Sequence, residues 1–263
     1  MNYARRQYLP VVLLVVGTLL LGSGCAKKVA PPRTGPAGRS EDQRVIEHTV
    51  GTGETLARIA DNYYGDPARF EDIARDNGIT DPSKIVPGSV LRMQFSEDEY
   101  AAARKRSAAL APYNKGVDLM ANERLGEAEK QFRLALGEAP DLTAAKYNLA
   151  LVLLKRGRTE QALSLLEELT ALRPKDTDFR FAHGNALFQA ARFDEAAVQF
   201  QAALAVNPVL KRAAFGYARS LQEAGDVAGA ISAWERYLDL DGTSSWAAAA
   251  QRNLKTLRDD DGS

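Results

Sequence analysis

Between about Ala109 and Gly242 the apolar and small positions fall into rows with a period of 34 residues. Leu119, Leu153, Leu187 and Leu221 form one row, and Phe132, Leu166, Phe200 and Trp234 form another. Small residues keep the same interval: Ala128, Ala162, Ala196 and Ala230 in one register, Gly116, Ala150, Gly184 and Ala218 in a second. Pro140, Pro174 and Pro208 punctuate the series. Self-similarity at such a period predicts stacked units, none of which buries its apolar face alone. Each unit reads as two antiparallel helices, the first near 112–122, 143–156, 177–190 and 211–224, the second near 125–138, 159–172, 193–206 and 227–240. Gly157, Ala191 and Gly225 mark the turn between them, and Trp246 to Leu257 reads as a closing helix.

A different pattern precedes the repeats. Val45 to Val50 is rich in β-branched residues and predicts a strand, broken by Gly51-Thr52-Gly53. Leu56, Ile59, Ala60 and Tyr63 keep helical spacing, as do Phe70, Ile73 and Ala74 after the break at Gly65-Asp66-Pro67. Asn77-Gly78 stops the second helix, Pro87-Gly88 turns, and Ser89 to Met93 closes as a strand. The order is β–α–α–β. Ser96 and Glu99 form a capping box that opens a charged connector helix to about Leu110, and Pro112 suits the first position of the helix after it. The expected fold is therefore mainly α: a small β-α-α-β module, then an all-α solenoid of about four helix pairs with a capping helix.

The repeat rows resemble the tetratricopeptide (TPR) family, which places a small residue at position 8, Ala at 20, a large apolar residue at 24 and Pro at 32. The resemblance covers repeats near 109–142, 143–176, 177–210 and 211–244; the fourth has Gly242 where another proline would stand. It implies a concave surface lined by the first helices. The family's fifth position falls on Tyr113, Tyr147, Phe181 and Phe215, and the next groove row on Val117, Leu151, Asn185 and Arg219. Met120, Leu154 and Phe188 add apolar surface, and Gln222 closes the far end. An exposed aromatic stripe marks a partner site, so the expectation is an apolar or amphipathic peptide in this groove. The same rings at helical spacing also suit packing against the adjacent helix. Aromatics stand where a carboxylate clamp would need Lys, so no such clamp is expected.

Residues 45–95 resemble a LysM domain, through His48-Thr49-Val50, Gly53-Glu54-Thr55-Leu56, Ile59-Ala60, Asn77-Gly78-Ile79, Ile85 and Pro87 to Leu91. The resemblance implies binding to N-acetylglucosamine polymers, including peptidoglycan, in a shallow groove between two loops. Carried onto this chain, the loops are Gly53, Glu54, Thr55 and Leu56, and Asn77, Gly78, Ile79, Thr80, Asp81 on to Ile85. Glycine lets a sugar approach the backbone closely, and Leu56, Ile79 and Ile85 offer apolar contact. Thr55 also suits a helix cap, and Leu56 and Ile85 also suit the core of so small a domain.

The N-terminus carries Arg5 and Arg6, then a mostly apolar run from Leu9 to Leu21 that is short for a membrane span. Gly22, Ser23 and Gly24 lead to Cys25, the single cysteine, and this resembles a lipobox, with Leu21 four residues before the cysteine instead of three. The resemblance implies a signal peptide over 1–24 and acylation of Cys25. Residues 25–44 are rich in Pro, Gly and basic side chains and read as a flexible tether. Ala26 lacks the Asp that signals inner-membrane retention, so the periplasmic face of an outer membrane is the expected destination.

Charge changes little of this picture. Lys and Arg number 34 against 34 Asp and Glu, so bulk charge does not point to nucleic acid. No metal-ligand spacing, phosphate loop or nucleophile elbow stands out, and His48 and His183 fall on a strand and a helix face. The expectation is a non-enzyme without cofactor or metal that binds peptidoglycan, a membrane through its lipid, and an unidentified protein. A pilotin-like assembly factor for an outer-membrane machine is the main alternative, and an accessory peptidoglycan-remodelling enzyme a remote one. The expected divisions after the tether are 45–95, a connector over 96–111, repeats over 112–244, a cap over 245–258 and a tail over 259–263.

Overall fold

The computed structural model describes residues 44–261. The expected signal segment 1–24, the expected acylation site Cys25 and nearly all of the expected tether over 25–44 lie outside the described residues. The described residues divide into two compact units, one of 44–114 together with 137–142, the other of 115–136 and 143–261.

In the first unit, β1 (Arg44–Thr49) pairs antiparallel with β2 (Val90–Phe95), with Arg44 opposite Phe95 and Thr49 opposite Val90. Between them lie α1 (Leu56–Tyr64), a 3-10 turn at Pro67–Arg69 and α2 (Phe70–Asp76). Thr55 caps α1 by accepting from Arg58 N–H, and Gly65 ends it at φ 75°, where a Cβ would be strained. Alternation on β2 turns Leu91, Met93 and Phe95 inward onto Leu56, Ile59, Ala60, Tyr63, Ile73 and Ala74.

This core does not stop at residue 95. The helix expected as a separate connector over 96–111 is the first half of one continuous helix, α3 (Glu97–Ala121), with Pro112 inside it rather than at a new start. The capping box forms: Glu99 Oε2 accepts from Ser96 N–H at 3.1 Å, and Ser96 Oγ accepts from Glu99 N–H. Ala103 is fully buried in the β-α-α-β core, and Tyr100 and Leu110 pack against it. Arg106 Nη1 donates to the Tyr63 carbonyl at 3.1 Å and pairs with Asp141, and Arg69 Nη1 donates to Glu99 at 2.9 Å. A two-stranded sheet with two short helices has little apolar area to bury, and the α3 face supplies more.

The second unit holds the end of α3 with most of α4 (Leu125–Glu138), then the helix pairs α5 (Thr143–Lys155) and α6 (Thr159–Leu172), α7 (Thr177–Gln189) and α8 (Phe193–Val206), and α9 (Lys211–Ala224) and α10 (Val227–Leu240). The closing helix α11 runs from Ser245 to Asp261; the expected tail at 259 is still helical, since nothing in the sequence breaks the helix before Gly262. Every turn between paired helices closes the same way. Arg124, Arg158, Arg192 and Asp226 donate back to Leu119, Leu153, Leu187 and Leu221 at 2.9–3.0 Å, the 6→1 bond of a Schellman turn. Its left-handed residue is Gly157 or Gly225 in two repeats, but Glu123 and Ala191, both at φ 58°, in the others.

The row of small residues has a packing reason. A Cβ on Gly184 would come within 2.8 Å of the Phe200 ring, and one on Gly116 within 2.7 Å of Phe132. Where position 24 of the repeat is Phe, position 8 is Gly; the second repeat pairs Leu166 with Ala150. Phe132, Leu166, Phe200 and Trp234 are all essentially buried, as are the four alanines at 128, 162, 196 and 230.

Candidate glycan loops and partner surface

The first loop runs from Val50 to Thr55 and the second from Asn77 to Ser89. Two backbone bonds join their ends: Val50 N–H donates to the Ser89 carbonyl at 2.8 Å, and Gly88 N–H donates to the Val50 carbonyl at 2.8 Å. Left-handed glycines shape both, Gly53 at φ 72°, Gly78 at 66° and Gly88 at 87°. Nothing stands within 4 Å of where a Cβ would be at Gly78 or Gly88, so both backbones lie open.

The ten residues expected at the glycan site separate into two groups. Gly53, Thr55, Gly78 and Thr80 are exposed, and Ile79 and Ile85 are half-buried with part of each side chain against the core. The others are committed to the fold. Leu56 is 1% exposed and belongs to the core, which corrects its assignment to the groove. Asn77 is a staple: Nδ2 donates to the Ile73 and Arg92 carbonyls, and Oδ1 accepts from Arg92 N–H. Asp81 accepts from Ser83 N–H and Oγ and pairs with Lys84, holding its own turn.

Glu54 braces the first loop. One carboxylate oxygen accepts from Gly51 N–H at 2.6 Å and meets His48 Nε2 at 2.7 Å, while His48 Nδ1 lies 3.1 Å from the Tyr63 hydroxyl. Burial alone would raise the Glu54 carboxyl; the hydrogen bonds from His48 and Gly51 and the charges of His48 and Arg58 outweigh it and hold the group below the usual range. Arg58 Nη2 donates to the Gly53 carbonyl at 2.8 Å. What remains exposed is a mostly uncharged edge of open glycine backbone and aliphatic side chains. Such an edge suits acetamido sugars, which need single donors and acceptors beside an apolar face. Sequence reasoning passed over Val86, which is 65% exposed on this loop and extends the aliphatic edge. Its position between Ile85 and the Pro87-Gly88 turn is the signal that could have found it.

In the repeats the aromatic row is unevenly disposed. Tyr113 belongs to the first unit and is half-buried. Tyr147 is half-buried against Phe179, centroids 5.3 Å apart, and Phe181 lies 5.8 Å from Phe200 with the Arg212 guanidinium over its ring. Phe215 is buried, edge-on to Trp234, Tyr237 and Trp246, so it is a core residue and not part of an exposed stripe. Val117, Leu151 and Asn185 are half-buried, whereas Arg219 is exposed and covers Phe188 at 4.5 Å. Met120 and Leu154 are buried. In the repeats of the second unit Val117, Tyr147, Leu151, Phe181 and Asn185 are therefore the half-buried members of these rows, and the Arg212 and Arg219 side chains lie over Phe181 and Phe188 toward the C-terminal end. His183 sits 3.3 Å from Thr170 Oγ1, and burial pushes its imidazole down, toward the neutral form of a packed residue. Among the described residues no group of His, Cys, Asp and Glu is placed to hold a metal ion, and no helix is long and apolar enough to cross a membrane.

Geometry and sequence together define a two-module binding protein. Residues 48–94 match the LysM domain family, and residues 119–182 and 181–245 each match a tetratricopeptide repeat family. The chain thus consists, over these residues, of a LysM domain followed by TPR repeats, and both are binding modules. An uncharacterized protein of Deinococcus radiodurans is 40% identical over 55 residues, 21% of this chain and 22% of that protein. The DnaJ homolog subfamily C member 3 of Mus musculus is 34% identical over 93 residues, 35% of this chain and 18% of that protein. The matched stretches thus span only about a fifth of these relatives. Among solved structures, a tetratricopeptide repeat protein from Parabacteroides merdae has a TM-score of 0.53 at 16% identity, covering 59% of this chain and 61% of that one. MamA from Desulfovibrio magneticus has a TM-score of 0.50 at 15% identity, covering 57% and 93%. Both likenesses concern the fold.

Proposed function

We propose that this protein is a non-catalytic lipoprotein of the cell envelope that holds peptidoglycan through its LysM domain and recruits a protein partner through its repeats. The observation that carries the reading is the occurrence of both modules on one chain behind the Arg5 to Cys25 segment. The acylated Cys25 anchors the chain at a membrane, with the periplasmic face of an outer membrane as its address. Gly53, Thr55, Gly78, Ile79, Thr80, Ile85 and Val86 make the sugar contacts, while Glu54, Leu56 and Asn77 keep the loops in shape. An exposed edge of this kind binds weakly, and confinement near the wall raises the effective concentration enough to compensate. The partner surface is centred on Tyr147, Leu151, Phe181 and Asn185.

The test is co-sedimentation of the full chain with purified sacculi, paired with crosslinking in cells. The reading expects pelleting that is lost on deleting 45–94 and weakened by Val86→Asp, and palmitate incorporation that is lost in Cys25→Ser. Pelleting unaffected by the deletion sinks the glycan assignment. Lost pelleting with assembly of an outer-membrane machine intact favours the pilotin-like alternative. Muramidase or amidase activity in the purified protein overturns the non-enzyme reading.

A further inference from the structure

One charged cluster in the repeats is not required by the solenoid. Glu129 on α4 is buried, with its side chain 2% exposed, and three guanidinium groups converge on it. Arg158 Nη1 donates to its Oε1 at 2.5 Å, Arg156 Nη1 pairs with its Oε2, and Arg133 Nη1 pairs with Oε1. The row at 34-residue spacing from Glu129 reads Leu163, Ala197 and Ile231, apolar throughout. The position of Arg133 is Glu167, Gln201 and Glu235 in the other repeats, and that of Arg156 is Asn122, Ala190 and Ala224. Three repeats fold with no such cluster, so the solenoid does not demand the charge.

The donors are far from used up. Each guanidinium offers five N–H groups, and a carboxylate has about four lone-pair sites. Glu129 takes one nitrogen from each arginine and lies on the floor, while the arginine side chains are 37–47% exposed above it. The cleft they border has a volume of about 570 Å³ and also carries Arg124, Lys130 and Glu127. Five cationic side chains therefore face two carboxylates. Arg124 is engaged by Glu127, Nε to Oε1 at 2.7 Å and Nη2 to Oε2 at 2.6 Å. The arginine charges crowd one another: burial, then Arg158 and Arg156, push the Arg133 guanidinium down.

We propose that this cleft, formed by the start of α4 and the turn between α5 and α6, is a binding site for an acidic peptide segment of a partner protein. Guanidinium forks match carboxylates in geometry and lose less entropy per hydrogen bond than ammonium groups. Glu129 holds the three forks in place before the ligand arrives. The cleft is larger than a single tetrahedral anion, and its cations spread from Arg124 through Lys130 and Arg133 to Arg158. That spread fits a short run of Asp and Glu, with each side chain meeting a different cation. The site is separate from the aromatic row, since none of Tyr147, Phe181 and Phe215 borders it.

The experiment titrates a fluorescent hexaglutamate peptide into the full chain at low ionic strength, with hexaglutamine as the neutral control. Saturable binding of hexaglutamate alone is expected, weakened by added salt. Arg133→Gln with Arg158→Gln is expected to weaken it at least tenfold. That pair touches Glu129 and threatens folding, so Lys130→Glu serves as a second variant. It reverses a charge on the cleft outside the three arginine pairs of Glu129, and it too is expected to cost about tenfold at an unchanged melting temperature. Arg75→Gln, an exposed cation on α2, is expected to leave binding unchanged. Absence of saturable binding, or equal affinity in Lys130→Glu and Arg75→Gln, overturns the proposal. So does pyrophosphate binding more tightly than hexaglutamate with the same dependence on Lys130, which would make this a phosphate site.

Discussion

The side chain of Asn77 brackets the backbone of Arg92: Nδ2 donates to the Arg92 carbonyl at 2.9 Å, and Oδ1 accepts from the Arg92 N–H at 2.8 Å. The amide acts as a one-residue strand on the free edge of β2 and also donates to the Ile73 carbonyl at the end of α2. Asn77→Ala removes three hydrogen bonds and is expected to cost about 1–2 kcal/mol, since the freed Arg92 groups reach water. Asn77→Asp is expected to cost more, because both donors become acceptors facing carbonyls. Hydrogen exchange across 44–95 reads the effect. A glycan-contact role for this side chain would instead lower sacculus binding with exchange unchanged.

The Glu54 brace gives the first unit a defined acid sensitivity. Its folded carboxyl lies below the unfolded value of about 4.3–4.5, so its stabilisation is complete above that value. It is lost as pH falls through the folded value. Glu54→Gln is therefore expected to be less stable than the parent at neutral pH, and the difference is expected to shrink at acid pH. Urea midpoints read between about pH 3 and 7 check it, and parallel curves for the two proteins would refute the assignment.

Truncation separates packing from recognition along the aromatic row. Phe215→Ala empties a site enclosed by three aromatic rings and is expected to cost about 3–5 kcal/mol. Tyr147→Ala, at a half-buried site, is expected to cost less than half as much and to weaken partner crosslinking. Melting curves with crosslinking yields distinguish the two. A stable Phe215→Ala protein that loses its partner would restore that ring to the groove.

Glycine substitutions on one helical background are expected to have opposite signs. Gly184→Ala drives a methyl into the Phe200 ring and is expected to destabilise by about 1–3 kcal/mol. Gly137→Ala, in α4 with nothing near its Cβ position, is expected to stabilise by about 0.5–1 kcal/mol. At the left-handed turn, Ala191→Gly relieves a φ of 58° and is expected to raise stability by up to about 1 kcal/mol. Thermal melts of the three variants test the set.

Much of the fold was legible because its rules are local or periodic. Helical pairs, their turns, the capping box at Ser96 and the β–α–α–β order follow from spacing, capping and glycine position. Gly116 with Phe132 and Gly184 with Phe200 even carry a packing rule inside the repeat. Pro112 misled, because a proline that ordinarily opens a helix here lies within α3. Site residues were harder. Leu56 and Asn77 stand in the loops that the LysM resemblance marks, yet one is core and the other a staple, since a loop position does not say which way a side chain is spent.

By itself the sequence determined the two modules, the pairing of helices within the repeats, and the rows of residues that share a face, because each depends on intervals along the chain. Tertiary structure alone decided which members of a row are open. Phe215 is enclosed because Trp234, Tyr237 and Trp246 come to it from two other helices, while Tyr147 in the same register stays half-buried, with Phe179 beside it. It also brought Arg156 and Arg158, from the turn between α5 and α6, onto Glu129 in α4. A period fixes the direction in which a side chain points; what waits there comes from residues the period does not name.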